Sequence, residues 1–396
     1  MSLTFDTLTR DVDLRRLEPE WLELFGRSQT QNPFAHPAWV LSWLAGYAPT
    51  PQARLVVTAR QSGELVCVAP FYRRAYGVGP VKAACLQLVG SSPGPDDPLT
   101  EMCEILVLPD GRRRLIRGVL HHLIADHAGA HDWIGLSLPP QQGWFDDEWL
   151  PDAWRKRGAY AVHKDVRPFV VLPLPSSWEE LTLKRNLKEA IRRSKNRLAA
   201  LDPPPQVVLA EGEAVLPAVD RIQELHRQRA LLRGHIDHDD YFDDAVTMQL
   251  AHSGAAGLAQ SGHAAAALLE IGDRPVAGRL LLRANGSVFL SFSGADPDYW
   301  ALGASTSLIV ACIRQAIERG DRLLNLSLNP DGAKLRWSEQ LELHNEFIAV
   351  GPSRRAQRLF ELFWHARANR ALARQRDVFR RRNGAMPRQP DATVET

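Results

Sequence analysis

Two stretches of the chain repeat one order of apolar and polar positions. Residues 53–73 (ARLVVTARQSGELVCVAPFYR) hold two apolar runs around Ser62 and Gly63, and residues 263–283 (HAAAALLEIGDRPVAGRLLLR) hold two around Gly272 and Asp273. Short apolar runs on either side of such a turn predict a β-hairpin. Each hairpin is followed by a further apolar run ending in glycine, CLQLVG (85–90) and VFLSFSG (288–294). A stretch of helix length with one apolar face comes next, at 115–129 and 307–320. Both halves then close on nearly the same letters, IGLSLPP (134–140) and LNLSLNP (324–330). The shared order (strand, strand, strand, helix, strand) predicts two copies of one unit, over residues 1–165 and 166–352. A hairpin followed by a strand–helix–strand crossover makes each copy a mixed sheet, so the expected class is α/β.

Between the copies, residues 176–201 predict a helix with Ser177 as N-cap and Glu179 and Glu180 in its first turn. Pro203, Pro204 and Pro205 stop it. Its stretch from Lys184 to Arg197 carries seven basic residues and a single acid, Glu189. Two further helices are predicted near 215–232 and 241–252. From residue 353 a basic helical tail follows. Its Leu359, Phe360, Leu362, Phe363 and Trp364 are expected to pack on the protein, and residues 384–396 are expected to be disordered.

Composition narrows the function classes. With 45% hydrophobic and 24% charged residues, the 396-residue chain is neither wholly disordered nor a polytopic membrane protein, and its length suits two or three domains. The 48 basic and 46 acidic side chains leave a net charge of +2, so any electrostatic function must come from local patches. No apolar run approaches the roughly 18 residues of a membrane span. Residues 1–17 place acids and arginines where a signal peptide needs an apolar core, so a soluble, cytoplasmic protein is expected. Cys67, Cys85, Cys103 and Cys312 form no C-x-x-C pair and read as buried, reduced thiols.

Four segments offer chemistry. GADPDYWALGAST (294–306) leads straight into a helix. Gly303 lets backbone N–H groups approach a phosphate at the helix N-terminus, and Ser305 and Thr306 add hydroxyl donors; an ordinary helix start has the same letters. Lys334 and Arg336, in NPDGAKLRW (329–337), follow the closing strand at the carboxyl edge where ligands collect. They can offset charge on a thioester oxyanion or a phosphate, or stand as solvated cations. His226 and Arg229 lie one helical turn apart and share a face. His226 suits a general base near neutral pH and Arg229 a substrate contact. His235, Asp237, His238, Asp239 and Asp240 are ligand types, but a polar loop between helices has the same composition and no metal is expected. The basic helix suits a phosphate-rich partner such as RNA, or is a solvated face, and the Arg-rich tail can sit on an anionic membrane surface. No Ser/His/Asp nucleophile signature, Walker loop or zinc spacing is present.

Together, FAHPAWVLSW (34–43), GELVCVAPF (63–71), HDWIGLSLP (131–139), GDRPVAGRLLLR, FSGADPDYWALGAST and GAKLRW resemble the CelD-type acetyltransferases of the GNAT superfamily, in a tandem arrangement similar to the Fem peptidoglycan aminoacyltransferases. The resemblance spans roughly residues 17–350. It implies two GNAT-like domains, with acyl-CoA bound by the second. Its pyrophosphate would sit at Leu302, Gly303, Ala304, Ser305 and Thr306, and its pantetheine arm along Phe292 and Ser293. The lysine of the family's Tyr-Lys-x-x-Trp-like segment corresponds to Lys334. Relatives often carry aspartate and tyrosine where this chain has Asn325 and Ala333, so a tyrosine acid is not expected here.

The resulting expectation is an N-acyltransferase. A primary amine of a small molecule, peptide or sugar attacks the thioester of acyl-CoA or an acyl carrier protein. Lys334 steadies the charge, His226 or a water takes the proton, and Arg229 and Arg336 contact substrate. Neither DNA binding nor stable membrane insertion is expected. The rival readings are an aminoacyl-tRNA-dependent Fem-like transferase and a noncatalytic scaffold.

Overall fold

A computed structural model of the chain describes residues 3–78, 81–91, 97–126, 131–138, 149–232, 239–366 and 368. The first half runs β1 (Leu3–Leu8), α1 (Asp11–Arg27), α2 (Pro37–Tyr47), β2 (Arg54–Gln61), β3 (Glu64–Val78), β4 (Val81–Leu88), a two-residue β5 (Leu106–Val107), α3 (Arg112–Asp126) and β6 (Trp133–Leu138). After α4 (Asp152–Arg155) comes β7 (Tyr160–Pro173), and then α5 (Arg185–Ala199) links the halves. The second half repeats the order as β8 (Pro205–Glu211), α6 (Val215–Ala230), α7 (Ala245–Gln260), β9 (Ala264–Ile271), β10 (Arg274–Ala284), β11 (Ser287–Ala295), α8 (Ala304–Glu318) and β12 (Leu323–Leu328). A short α9 (Gly332–Leu335) and β13 (Leu341–Val350) follow. The duplication therefore extends further than the hairpin pattern indicated: a strand and two helices precede each hairpin.

All thirteen strands form one sheet, in the order β1-β2-β3-β4-β6-β13-β7-β12-β11-β10-β9-β8 with β5 beside β3. In each half a parallel pair surrounds the crossover helix, β4 with β6 and β11 with β12. The strand that ends each half is exchanged. β7 follows β6 in sequence but pairs antiparallel with β12, while β13 follows β12 but pairs with β6. β13 and β7 pair with each other at the centre, joining the halves into one surface. Residues 165 and 166, the expected boundary, thus lie inside a strand. On that central pair, Lys164 and Glu346 form a buried ion pair, each side chain 2% exposed.

One apolar layer is common to both halves. Trp39 and Trp43 of α2, Leu250 and Ala255 of α7, and Phe169 and Phe289 of the sheet belong to a single cluster. On the opposite face, α3 covers the first half through Ile116 and Leu120, and α8 the second through Leu308 and Ile313. Residues 354–366 form a helix whose Phe360 packs on Trp133 at 5.6 Å between ring centroids, as the apolar tail cluster suggested. Residues 384–396 lie outside the described residues. All four cysteines are buried thiols. No helix among the described residues is long and apolar enough to cross a membrane.

Two helix starts differ from the sequence reading. The linking helix begins at Arg185, with no side-chain cap from Lys184. Residues 176–184 instead lie as irregular chain that buries Leu181 and Leu183 among the residues under α8, and Trp178 takes Arg314 over its ring at 4.5 Å. Tertiary burial outweighs the local capping signal at Ser177. The other helix begins at Ala245 rather than Tyr241, because Asp244 caps it by accepting from Thr247 N at 2.7 Å.

Candidate active site

The carboxyl end of the second half's parallel pair opens into a groove. β11 and β12 pair over three positions, Ser287 with Leu323 to Phe289 with Asn325, and then part. On β12, Asn325 Oδ1 accepts from Ser327 N at 2.8 Å, and Ser327 takes a left-handed φ of 79°. That turn shifts the register against β7 between Asn325 and Leu328 and carries the strand end away from β11. On the β11 side, α6 lies directly against the strand. A Cβ on Gly294 would stand 2.4 Å from the Ile222 carbonyl oxygen and 2.6 Å from His226 N, so only glycine permits this approach.

The mouth of the groove is the N-terminus of α8. Gly303 precedes it with φ 83° and offers no side-chain cap. The carbonyl of Gly303 accepts from Ser194 Oγ of α5 at 2.8 Å, and a Cβ there would stand 2.6 Å from that same Oγ. Backbone conformation and crowding both require glycine at this position. The first helical bond inside α8 runs from Ser307 N to Gly303 O, leaving the N–H groups of Ala304, Ser305 and Thr306 without a helical acceptor. Those of Ser305 and Thr306 belong to the lining of a chamber of about 400 Å³, with Gly303, Trp300, Arg229 and Arg336 among others. Arg336 donates to Thr306 Oγ1 at 2.8 Å, and Arg229 lies over the Trp300 ring at 5.8 Å. Burial pulls both guanidinium groups below their ordinary pKa.

A second chamber of about 440 Å³ continues toward the strand opening and shares Arg229, Arg279, Ser293, Ile309 and Ala333 with the first. Arg279 of β10 donates to Ser293 Oγ at 3.1 Å and to the Ser291 carbonyl at 3.3 Å; burial lowers its pKa too. Lys334 reaches back to the end of β12, where its Nζ donates to the Leu328 and Asn329 carbonyls, the latter at 3.3 Å. Burial lowers its pKa, with Asp331 and Glu101 pulling the other way. Glu101 comes from the first half. Its Oε2 accepts from Ser327 Oγ at 2.5 Å and from Leu328 N at 2.8 Å, and burial holds its carboxyl above the ordinary carboxylate range despite those bonds. The wall is thus mainly cationic, with Glu101 and Asp331 as its acids.

The sequence-derived residues fall here unevenly. Phe292, Ser293, Gly303, Ser305, Thr306, Arg229, Arg336, Lys334 and His226 all line one chamber or both. Leu302 and Ala304 line neither, and Ala304 is fully buried. His226 is 8% exposed and both its ring nitrogens face backbone atoms. Nδ1 stands 3.2 Å from the Ser293 carbonyl and Nε2 stands 3.2 Å from the Asp239 carbonyl, with Tyr241 N also directed at Nε2. Its ring ties the α6–α7 connection to β11 and leaves neither nitrogen over for a substrate proton. His235, Asp237 and His238 lie outside the described residues, and among the described residues no three metal-ligating side chains gather. Glu101 and Arg279 were not read from the sequence. Glu101 sits in an irregular segment 226 residues from Ser327, and Arg279 is an inconspicuous cation inside a hairpin strand.

The strand opening beside an uncapped, glycine-led helix lies within a GNAT-like α/β fold. Residues 185–335 match the family model described as an acetyltransferase (GNAT) domain, a span that contains the second-half lining of both chambers except Arg336 and Trp337. Among solved structures, a conserved protein of unknown function from Bacteroides thetaiotaomicron is similar over 88% of this chain and 100% of its own, at 13% identity and a TM-score of 0.55. FemX is similar over 81% and 92%, at 11% identity and a TM-score of 0.52. The C-terminal domain of a putative lysylphosphatidylglycerol synthetase from Agrobacterium fabrum is similar over 88% and 96%, at 12% identity and a TM-score of 0.51. At such identities the likeness defines the fold. No curated protein matches the chain in sequence.

Proposed function

We propose that the protein is an N-acyltransferase, of the CelD type, that moves an acyl group from acyl-CoA or an acyl carrier to a primary amine by direct attack. The observation that carries this reading is the free N-terminus of α8 at one end of a cationic groove and the parted strands at the other. The N–H groups of Ser305 and Thr306, with Arg336 beside them, suit a pyrophosphate. The edge of β11 at Phe292 and Ser293 suits the pantetheine arm. The acceptor amine enters the second chamber and its nitrogen bonds to the thioester carbonyl carbon. Glu101 takes the amine proton, the C–S bond breaks, and the thiolate leaves. A carboxyl held above its ordinary pKa is the stronger base for this step. Lys334 has three N–H donors and uses two on the Leu328 and Asn329 carbonyls; with Asp331 at 3.9 Å, beyond hydrogen-bond distance, the third suits the oxyanion.

The test is thiol release with short- and long-chain acyl-CoA against a library of primary amines. Turnover lowered at least tenfold in Lys334→Ala is expected. Thermal stability unmoved by every acyl-CoA would sink the CoA reading.

A second reading, aminoacyl transfer from tRNA, is favoured by one feature: α5 presents Arg185, Lys188, Arg192, Arg193 and Lys195 to solvent while Ser194 touches Gly303. Steeply salt-dependent tRNA binding, weakened by Arg192→Glu, would support it over acyl-CoA.

A further inference from the structure

A cavity of about 850 Å³ lies apart from the groove. It lies at the opposite edge of the sheet, where β11 and β12 begin, and shares no lining residue with either chamber. The connection between α1 and α2 closes one side, the start of α3 another, and β13 a third through Glu342 and His344. It is built from both halves: Asn285 donates to the Thr30 carbonyl at 2.7 Å, and Thr30 Oγ1 donates to Glu104 at 2.7 Å.

The lining states what the cavity can hold. Apart from Met102, Pro109 and Leu323, every lining side chain is polar, and none is Phe, Tyr or Trp. A nucleobase would find no ring to stack on, and an acyl chain no apolar side chains beyond Met102, Pro109 and Leu323. Two guanidinium groups, Arg112 and Arg322, two carboxyls, Glu104 and Glu342, several carboxamides and an imidazole line the same space. Several of these groups lack partners. His344 is 5% exposed, yet its Nδ1 makes no hydrogen bond, and the buried Nε of Arg112 has none either. Buried polar atoms of this kind cost stability unless something meets them. Carboxyls and carboxamides grip vicinal hydroxyls, and guanidinium forks grip phosphate or carboxylate in two-point fashion.

We propose that this cavity is a binding site for a small anionic sugar, its phosphate or carboxylate held by Arg112 and Arg322 and its hydroxyls by Glu104, Glu342 and His344. This site is separate from acyl transfer, although its wall backs directly onto the groove. Met102 lines it where Glu101 lines the second chamber, and Asn325 lines it where Ser327 lines that chamber.

Calorimetry on the full chain tests it with glucose 6-phosphate, glucuronate, glucose and inorganic phosphate, without any acyl donor. Saturable binding of glucose 6-phosphate or glucuronate, at least tenfold tighter than glucose or phosphate, is expected; which of the two binds tells phosphate from carboxylate. Arg322, exposed at its rim, is safe to truncate: Arg322→Ala should weaken binding about tenfold, the worth of one charge-assisted hydrogen bond. Gln31→Trp, which narrows the cavity from the α1–α2 connection, should weaken binding at least tenfold while the melting temperature holds. Failure of both anionic sugars to bind, binding no tighter than inorganic phosphate, or binding unchanged in both variants would each overturn the proposal.

Discussion

The isosteric change Glu101→Gln separates catalysis from packing. A glutamine keeps an oxygen to accept from Ser327 Oγ and Leu328 N, the two bonds that fix the wild-type carboxylate at 2.5 and 2.8 Å. It removes the charge and the basicity. A general base contributes about 10²- to 10⁴-fold, so kcat/KM should fall by that factor, equivalent to roughly 3–5 kcal/mol of transition-state stabilisation. The pH profile gives a second reading. Because burial raises the carboxyl above its ordinary 4.5, wild-type activity should climb with pH through a value above 4.5, and the variant should lose that limb. Stability should move in the opposite sense. A carboxyl that is raised in the fold binds its proton more readily there than in the unfolded chain, so ionising it costs stability as pH rises. The glutamine variant should therefore be as stable as wild type at neutral pH, or more so. Thiol release across pH 5–9 and urea midpoints at pH 7 measure both. An unchanged rate and profile would remove Glu101 from the mechanism, whereas a lower rate with a lower midpoint would make it merely structural.

Two further outcomes follow from the same geometry. Gly303→Val forces a branched side chain into a left-handed φ, costing roughly 1–2 kcal/mol for the backbone alone, and sets its Cβ against Ser194 Oγ. The urea midpoint should drop and stabilisation by acetyl-CoA should vanish, with Ser194→Gly restoring part of the midpoint; full acetyl-CoA response in Gly303→Val would refute the role of the α8 N-terminus. His36 caps α2 by accepting from Ala38 N at 3.2 Å, which requires an unprotonated nitrogen, and burial assisted by His263 pushes its pKa down to about 3. Its stabilisation is complete above pH 6.5 and is lost as pH falls toward 3, so His36→Asn should flatten the stability–pH slope between pH 6.5 and 4.5 by about one proton, roughly 1.4 kcal/mol per pH unit. An identical slope in urea titrations of both proteins would show that another group, such as His344, sets it.

What could be read from the letters was what is local. The hairpins, the crossover helices and Gly303 depend on neighbours within a few residues, and each appears in the structure where the pattern put it. Helix α2 escaped notice because PAWVLSWLAGY is apolar nearly all round, packed by both the first-half core and α7, and so shows no amphipathic stripe. Ser177 misled for the converse reason: a good local cap lost to the burial of Leu181 and Leu183. His226 was found as a residue of the groove, but only its two backbone partners reveal that its ring is occupied.

Glu101 could not have been found by spacing at all, and the sheet topology explains why. Exchanging β7 and β13 brings the second half's β12 beside a strand from the first half and lays the segment before β5 across the shared apolar layer through Leu99 and Met102. That segment delivers Glu101 to the end of β12 and Glu104, three residues on, to the cavity at the other edge. A single copy of the unit would have the free helix N-terminus, Lys334 and the Asp331 beside it, but not the buried carboxyl of Glu101 on the end of β12. Duplication with strand exchange thus brings Glu101 from one half against the uncapped helix N-terminus and Lys334 of the other, so neither half alone holds the full set of groups that line the groove.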